Sequence, residues 1–184
     1  ELKAPKGYAT NKDIFEVDLS SAVTTTDTIS KEYVIYDEIT KYDFSKHDIT
    51  NKEEIEGASL TLTYKDDDGK EVVVDSWVST TKEHRIQGLE VDKTYTLTEK
   101  LPPAGYVTAE SIEFKVKDTG EVQTVKMYDD VTKAKFSKVD KDTKELLEGA
   151  KLTIVDENGN EYKTFTSSAK EPTYLEKIPI GKYT

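Results

Sequence analysis

The sequence predicts an all-β protein built as repeats of an antiparallel β-sandwich, and three observations carry that prediction. Apolar and polar residues alternate over short runs such as "ASLTLTY" and "KTYTLTE", the period of a half-buried strand. Turn-forming clusters, among them "KDDDG" and "KLPPAGY", separate these runs, and no run carries a convincing helical period. The chain also repeats itself at an interval of 92 residues, a suitable length for one sandwich domain.

The repeat is read from three correspondences. "KYDFSKHDITNKEEIEGASLTLTYKDDDGKE" from Lys41 aligns with "KAKFSKVDKDTKELLEGAKLTIVDENGNE" from Lys133. "EKLPPAGYVTAESIEFKV" from Glu99 aligns with "ELKAPKGYATNKDIFEV" from Glu1, and "VKMYDDVTK" from Val125 aligns with "YVIYDEITK" from Tyr33. Residues 40–131 therefore read as one complete unit, residues 1–39 as the back half of a preceding unit, and residues 132–184 as the front half of a following one. Within the complete unit the elements follow in order. A strand over "KYDFSKHD" comes first, then "ASLTLTY" and "KEVVVDSWV" as a hairpin about "KDDDG". "KTYTLTE" and "SIEFKVKD" lie either side of the proline- and glycine-rich loop, and "QTVKMYD" closes the unit.

Composition narrows the function. The 184 residues suit one or two domains, and a net charge of −11 argues against nucleic-acid binding and against attraction to an anionic membrane surface. There is no cysteine, which excludes disulfides and thiolate metal sites. No segment is long and apolar enough to span a membrane, and no signal peptide or lipidation motif is visible. The chain opens on "ELKAPKGY" and stops within "IPIGKYT", so it reads as an excerpt from something longer.

Strand parity puts ionisable groups on apolar faces. Residues i and i+2 of a strand share a face, so Lys46 points with Tyr42 and Phe44, Glu99 with Tyr95 and Leu97, and Asp129 with Val125 and Met127. The second set follows the same pattern, with Lys138 beside Phe136 and Asp37 beside Tyr33 and Ile35. Two readings fit these residues. They are strand-end charges at the rim of the core, guarding against edge pairing, or they are a reactive set. Burial lowers a lysine's hold on its proton and raises that of an acid. A neutral amine is a nucleophile, a protonated aspartic acid is a better electrophile than a carboxylate, and a neighbouring glutamic acid can shuttle protons. The product would be an amide between Lys46 and Asp129, with water leaving. Asp130 lies next door, and parity alone selects Asp129 over it.

"YDFSK", "YTLTEKLPPAGY" and "VKMYDD" resemble the lysine, glutamate and acceptor strands of collagen-adhesin B-type (CnaB) repeats. The resemblance implies an Ig-like, transthyretin-like sandwich serving as a stalk domain of a Gram-positive surface adhesin or pilin, extracellular and cell-wall anchored in the parent protein. It also implies a spontaneous Lys46–Asp129 isopeptide bond with Glu99 as the catalytic acid. The acceptor in many members is Asn, whereas this chain has Asp. The counterparts in the half-repeats are Lys138, Asp37 and Glu1.

Other chemistries fare less well. "DENGNE" and "DDDG" vaguely resemble calcium loops but fall where hairpins must turn, so no metal and no cofactor are expected. Trp77 reads as a packing residue, and His47 and His84 as isolated, with no serine constellation nearby. A turnover enzyme is not expected. The choice lies between a self-locking stalk module and a ligand-binding adhesin domain that uses the sandwich loops, and the repetition favours the stalk. The expected partners are neighbouring repeats. Residues 132–184 of one chain are further expected to complete residues 1–39 of the next, head to tail, with Lys138 reacting with Asp37 under the influence of Glu1.

Overall fold

The computed structural model describes residues 1–17 and 33–184. Residues 18–32, inside the expected first half-repeat, lie outside the described residues. Among those described there are strands and no helix. In chain order they are β1 (Tyr8–Ala9), β2 (Glu38–Ile39), β3 (Lys41–Asp48), β4 (Ser59–Lys65), β5 (Glu71–Val78), β6 (His84–Gln87), β7 (Thr94–Leu101), β8 (Ile112–Lys115) and β9 (Val122–Asp129). The last four are β10 (Lys133–Phe136), β11 (Lys151–Val155), β12 (Glu161–Thr166) and β13 (Thr173–Glu176).

Strands β3 to β9 form a sandwich of two sheets, ordered β6-β3-β9 and β5-β4-β7-β8. The alternating residues meet between them: Tyr42, Phe44, Leu60, Leu62, Tyr95, Leu97 and Met127 are all buried. Removing that apolar area from water is the main favourable term holding the two sheets together. The β4–β5 hairpin turns where the sequence predicts. Asp66 Oδ1 accepts from the backbone N–H groups of Asp68 and Lys70, and Gly69 takes φ +78°. Asp66 thus serves the turn. Asp156 binds the N–H groups of Asn158 and Asn160 in the same way.

One pairing departs from the antiparallel expectation. Strands β3 and β9 run parallel, with Lys46 opposite Met127 and Asp48 opposite Asp129. A parallel pair cannot be closed by a hairpin, so the chain crosses the other sheet before it returns beside its own first strand. Strand β6, which flanks β3 on the other side, was not among the expected elements.

Outside the sandwich the expected strands are shorter. In 132–184, β10 pairs with β13 and β11 with β12, and the strand expected through Lys138 stops at Phe136. In 33–39 only Glu38 and Ile39 form a strand, paired with Tyr8 and Ala9. Tyr33, Val34, Ile35 and Tyr36 stay exposed. A strand needs neighbours for its N–H and C=O groups; among the described residues no strand pairs with 33–37, and the Tyr36 carbonyl accepts from the Asn11 side-chain amide at 2.8 Å instead.

Candidate functional site

Three strands bring one lysine and two carboxyls into the core. Strand β3 supplies Lys46, β7 supplies Glu99 and β9 supplies Asp129. Their side chains have no solvent exposure. Each lies on the strand face that packs inward, the face its parity predicts. Tertiary pairing does the rest, since β9 lies directly beside β3 while β7 faces them from the opposite sheet.

Lys46 Nζ contacts Asp129 Oδ1 and lies 3.1 Å from Glu99 Oε1. The backbone N–H of Ala109, in the loop before β8, donates to Glu99 Oε2 at 2.7 Å and fixes that carboxyl. Glu99 Oε1 and Asp129 Oδ2 are buried without a hydrogen-bond partner. Burial pushes the Asp129 carboxyl up to about 6, against the pull of Lys46, and the neighbouring Glu99 adds to the rise. Phe44, Leu60 and Met127 also belong to the surrounding core. Asp130, one residue on, points outward to Lys133 at 2.9 Å, and that contact holds its carboxyl below the usual range. Asp129 is thus the aspartate that faces Lys46.

The second set is not assembled. Lys138 is exposed beyond the end of β10, beside a hollow that includes Phe136, Leu146 and Phe165. Glu1 and Asp37 border a different hollow, together with Asn11, Phe15 and Ile35. Glu1 Oε2 accepts the Asn11 N–H at 2.8 Å.

The histidines differ from the sequence reading. His47 Nδ1 lies 2.9 Å from the Lys52 carbonyl, which requires the proton on that nitrogen, and Nε2 lies 2.8 Å from Ser45 Oγ. His47 therefore has a serine partner. Ser45 and His47 share the face of β3 opposite to Lys46, and both are buried. His84 stacks on Trp77 at 4.3 Å and meets Asp75 at 2.8 Å. Trp77 packs against the core, as expected.

The sequence reading passed over Asp48. It is buried and receives the Thr50 N–H at 2.7 Å and the Tyr106 hydroxyl at 3.0 Å, with Lys177 Nζ 3.2 Å away. Burial favours its protonated form, but these donors outweigh that and hold the carboxyl at about 2. The signal was present, because Asp48 shares the parity of Lys46 and recurs as Asp140 after 92 residues.

Two sheets packed face to face around the buried lysine and carboxyls define a prealbumin-like β-sandwich. The chain belongs to the SpaA prealbumin-like fold domain family, whose model matches residues 40–131 and again 132–184. Among solved structures, the Bacillus anthracis TIE protein is similar over 100% of this chain and 34% of its own, at 25% identity and a TM-score of 0.51. A streptococcal ancillary pilin matches over 86% of this chain and 57% of its own, at 21% identity and a TM-score of 0.44. The shaft pilin SpaA from Lactobacillus rhamnosus GG matches over 76% of this chain and 82% of its own, at 15% identity and a TM-score of 0.43. The chain thus spans about a third of the first of these proteins and just over half of the second. No curated protein matches it.

Proposed function

We propose that residues 40–131 form a stalk repeat of a bacterial surface adhesin or pilin, locked by a spontaneous isopeptide bond between Lys46 and Asp129. The carrying observation is the contact of a lysine with two carboxyls, all without solvent exposure, in an otherwise apolar core. A buried ion pair of this kind is weak evidence for stability, whereas as a reactive set it has a clear outcome.

A proton moves from Lys46 Nζ to the Asp129 carboxyl, leaving a neutral amine beside a carboxylic acid. Nζ attacks Cγ of Asp129, and the developing oxyanion is stabilised by a hydrogen bond from protonated Glu99. Nζ loses its second proton through Glu99, one carboxyl oxygen leaves as water, and the amide remains. Asp129 Oδ2, buried without a hydrogen-bond partner, supports the shared-proton reading, since a proton held on that carboxyl can be donated to Glu99. The charges vanish with the product, so the reaction also removes the cost of burying them.

The same chemistry extends to Lys138, Asp37 and Glu1 when residues 132–184 of one copy cover residues 1–39 of another. The front half presents an apolar hollow lined by Phe136, Leu152, Ile154, Phe165 and Ile178. The back half leaves Leu2, Ile14, Val17 and Ile35 exposed. Each surface offers what the other needs to bury. The resulting contact is heterologous and propagates from chain to chain.

Intact mass under denaturing conditions tests the central bond. The wild-type chain is expected one water lighter than its sequence, while Asp129→Ala and Glu99→Ala carry the full mass and remain folded. A wild-type chain at full mass would falsify the bond. A Glu99→Ala chain that has lost water would leave the bond standing and remove Glu99 from the mechanism.

A further inference from the structure

The passage from one expected repeat to the next occurs twice in this chain, and the same contacts recur atom for atom. At the first passage, Thr40 N–H donates to the Gly7 carbonyl at 3.0 Å and the Gly88 N–H donates to the Thr40 carbonyl at 3.0 Å. At the second, Thr132 N–H donates to the Gly105 carbonyl at 2.9 Å and the Lys177 N–H donates to the Thr132 carbonyl at 2.9 Å. The threonine hydroxyls behave alike. Thr40 Oγ1 reaches the carbonyls of Leu89 at 2.7 Å and Gly7 at 3.3 Å, and Thr132 Oγ1 reaches those of Ile178 and Gly105, the latter at 3.2 Å.

The backbone approach recurs too. Gly7 and Gly105 have φ of +83° and +86°, and a Cβ on either would come within 2.7 Å of the carbonyl oxygen of Gly88 or Lys177, respectively. Gly88 and Lys177 are both left-handed, at φ +78° and +57°. For a lysine that conformation is unfavourable, so the surroundings must impose it. Each glycine lies in a tight P-x-G-Y turn, "PKGY" or "PAGY", closed by the tyrosine N–H on the proline carbonyl at 3.1 Å.

The structure assigns Thr40 and Thr132 to a repeated joint that holds consecutive repeats at one fixed angle, each threonine clasping the P-x-G-Y turn of the repeat before it and a left-handed turn of the repeat after it. The partner this surface fits is a further repeat of the same protein carrying a glycine or left-handed residue at the position of Gly88. This inference rests on the repeat reading of the chain, though not on the isopeptide bond. Side-chain contacts differ between the two joints. Lys6 meets Glu90 at 3.3 Å and Asp118 Oδ1 accepts the Thr10 N–H at 2.7 Å in the first. In the second, Lys177 Nζ donates to the Tyr106 hydroxyl at 2.8 Å and pairs with Asp48. The constant part of the joint therefore fixes its geometry, and the variable part adjusts its strength. A linker bonded on both sides leaves little freedom for bending or twisting, so tension and torque pass between repeats through the turns as well as along the chain.

The absence of cysteine permits site-specific spin labelling of the full chain. With labels at Asp67→Cys and Asn158→Cys, on exposed hairpin tips of the two successive units, a single narrow distance distribution is expected by double electron–electron resonance. Thr132→Val, which keeps the shape and removes the hydroxyl, should broaden it, and Thr132→Ser should restore it. A broad distribution in the otherwise wild-type chain, an unchanged one in Thr132→Val, or a broad one in Thr132→Ser would each overturn the joint. A second label pair, Asn158→Cys with Lys170→Cys, reports on residues 132–184 alone. Broadening of that distance by Thr132→Val would show a melted segment and likewise count against the proposal. Intact mass reads the Lys46–Asp129 bond separately, so failure of one reading is distinguishable from failure of the other.

Discussion

Asp129 and Asp48 face the interior from neighbouring strands in the same register, yet their carboxyls are driven in opposite directions. Asp129 has the apolar core around it and a second carboxyl nearby, and it is raised. Asp48 has three donors converging on it and is lowered. The difference separates a group suited to react from one suited to hold. A raised carboxyl favours the fold while protonated, so its contribution is present below its unfolded value near 3.8 and is lost as pH rises through about 6. Depressed carboxylates such as Asp48 have the opposite sign, and a paired comparison cancels them. In the unlinked Glu99→Ala chain, the urea midpoint relative to Glu99→Ala/Asp129→Asn is therefore expected to fall between pH 4 and pH 7. A pH-independent difference would show that Asp129 ionises in the core as it does in water.

Each strand of the sandwich contributes according to the face it buries. Leu62 lies in the middle of β4, fully buried and paired with Leu97 on β7. Its truncation to alanine is expected to cost about 3 kcal/mol by chemical denaturation, within the usual range for buried leucines. Val73, on β5 and 59% exposed, should change stability by about 0.5 kcal/mol or less when truncated. Similar losses at the two positions would mean that β5 is covered in solution by something that this chain does not supply. Strand β3 is a separate case, because both of its faces are buried. Its outer face is polar but satisfied: Arg85 forks onto Asp43 at 2.7 and 2.6 Å, and Ser45 and His47 bond one another. A strand paired on both sides and covered on both faces suits the element that would carry the cross-link.

The proposed bond joins residues 83 apart in sequence and ties the first strand of the sandwich to the last. By analogy with a disulfide closing a loop of that length, it would stabilise the sandwich by about 4 kcal/mol. Because β3 and β9 are adjacent and parallel, a pull entering by one would reach the other through the amide without first unzipping the sheet. At the scale of many chains, the complementary half-repeats predict a ladder of multimers on a denaturing gel, abolished by Lys138→Ala and by Asp37→Ala. A single monomer band at high concentration would leave the central repeat intact as a proposal and remove the assembly between chains.

Period and parity are local properties of the sequence, and they were enough for the all-β class, the β4–β5 hairpin, and the inward direction of Lys46, Glu99 and Asp129. Choosing Asp129 over Asp130 needed only the alternation of a strand, because adjacent side chains point to opposite faces. What parity could not supply was who stands beside whom. That β9 runs parallel to β3, that Ser45 and His47 are covered, and that Asp48 meets Tyr106 and Lys177 are facts of pairing between residues distant along the chain. The early end of β10 and the open stretch 33–37 have the same origin. Their sequences carry the alternation of strands, but alternation becomes a strand only where a neighbour accepts its hydrogen bonds. The sequence by itself determined which groups would face inward; only the tertiary structure decided which of them would meet, because backbone pairing and burial depend on contacts that no local pattern encodes.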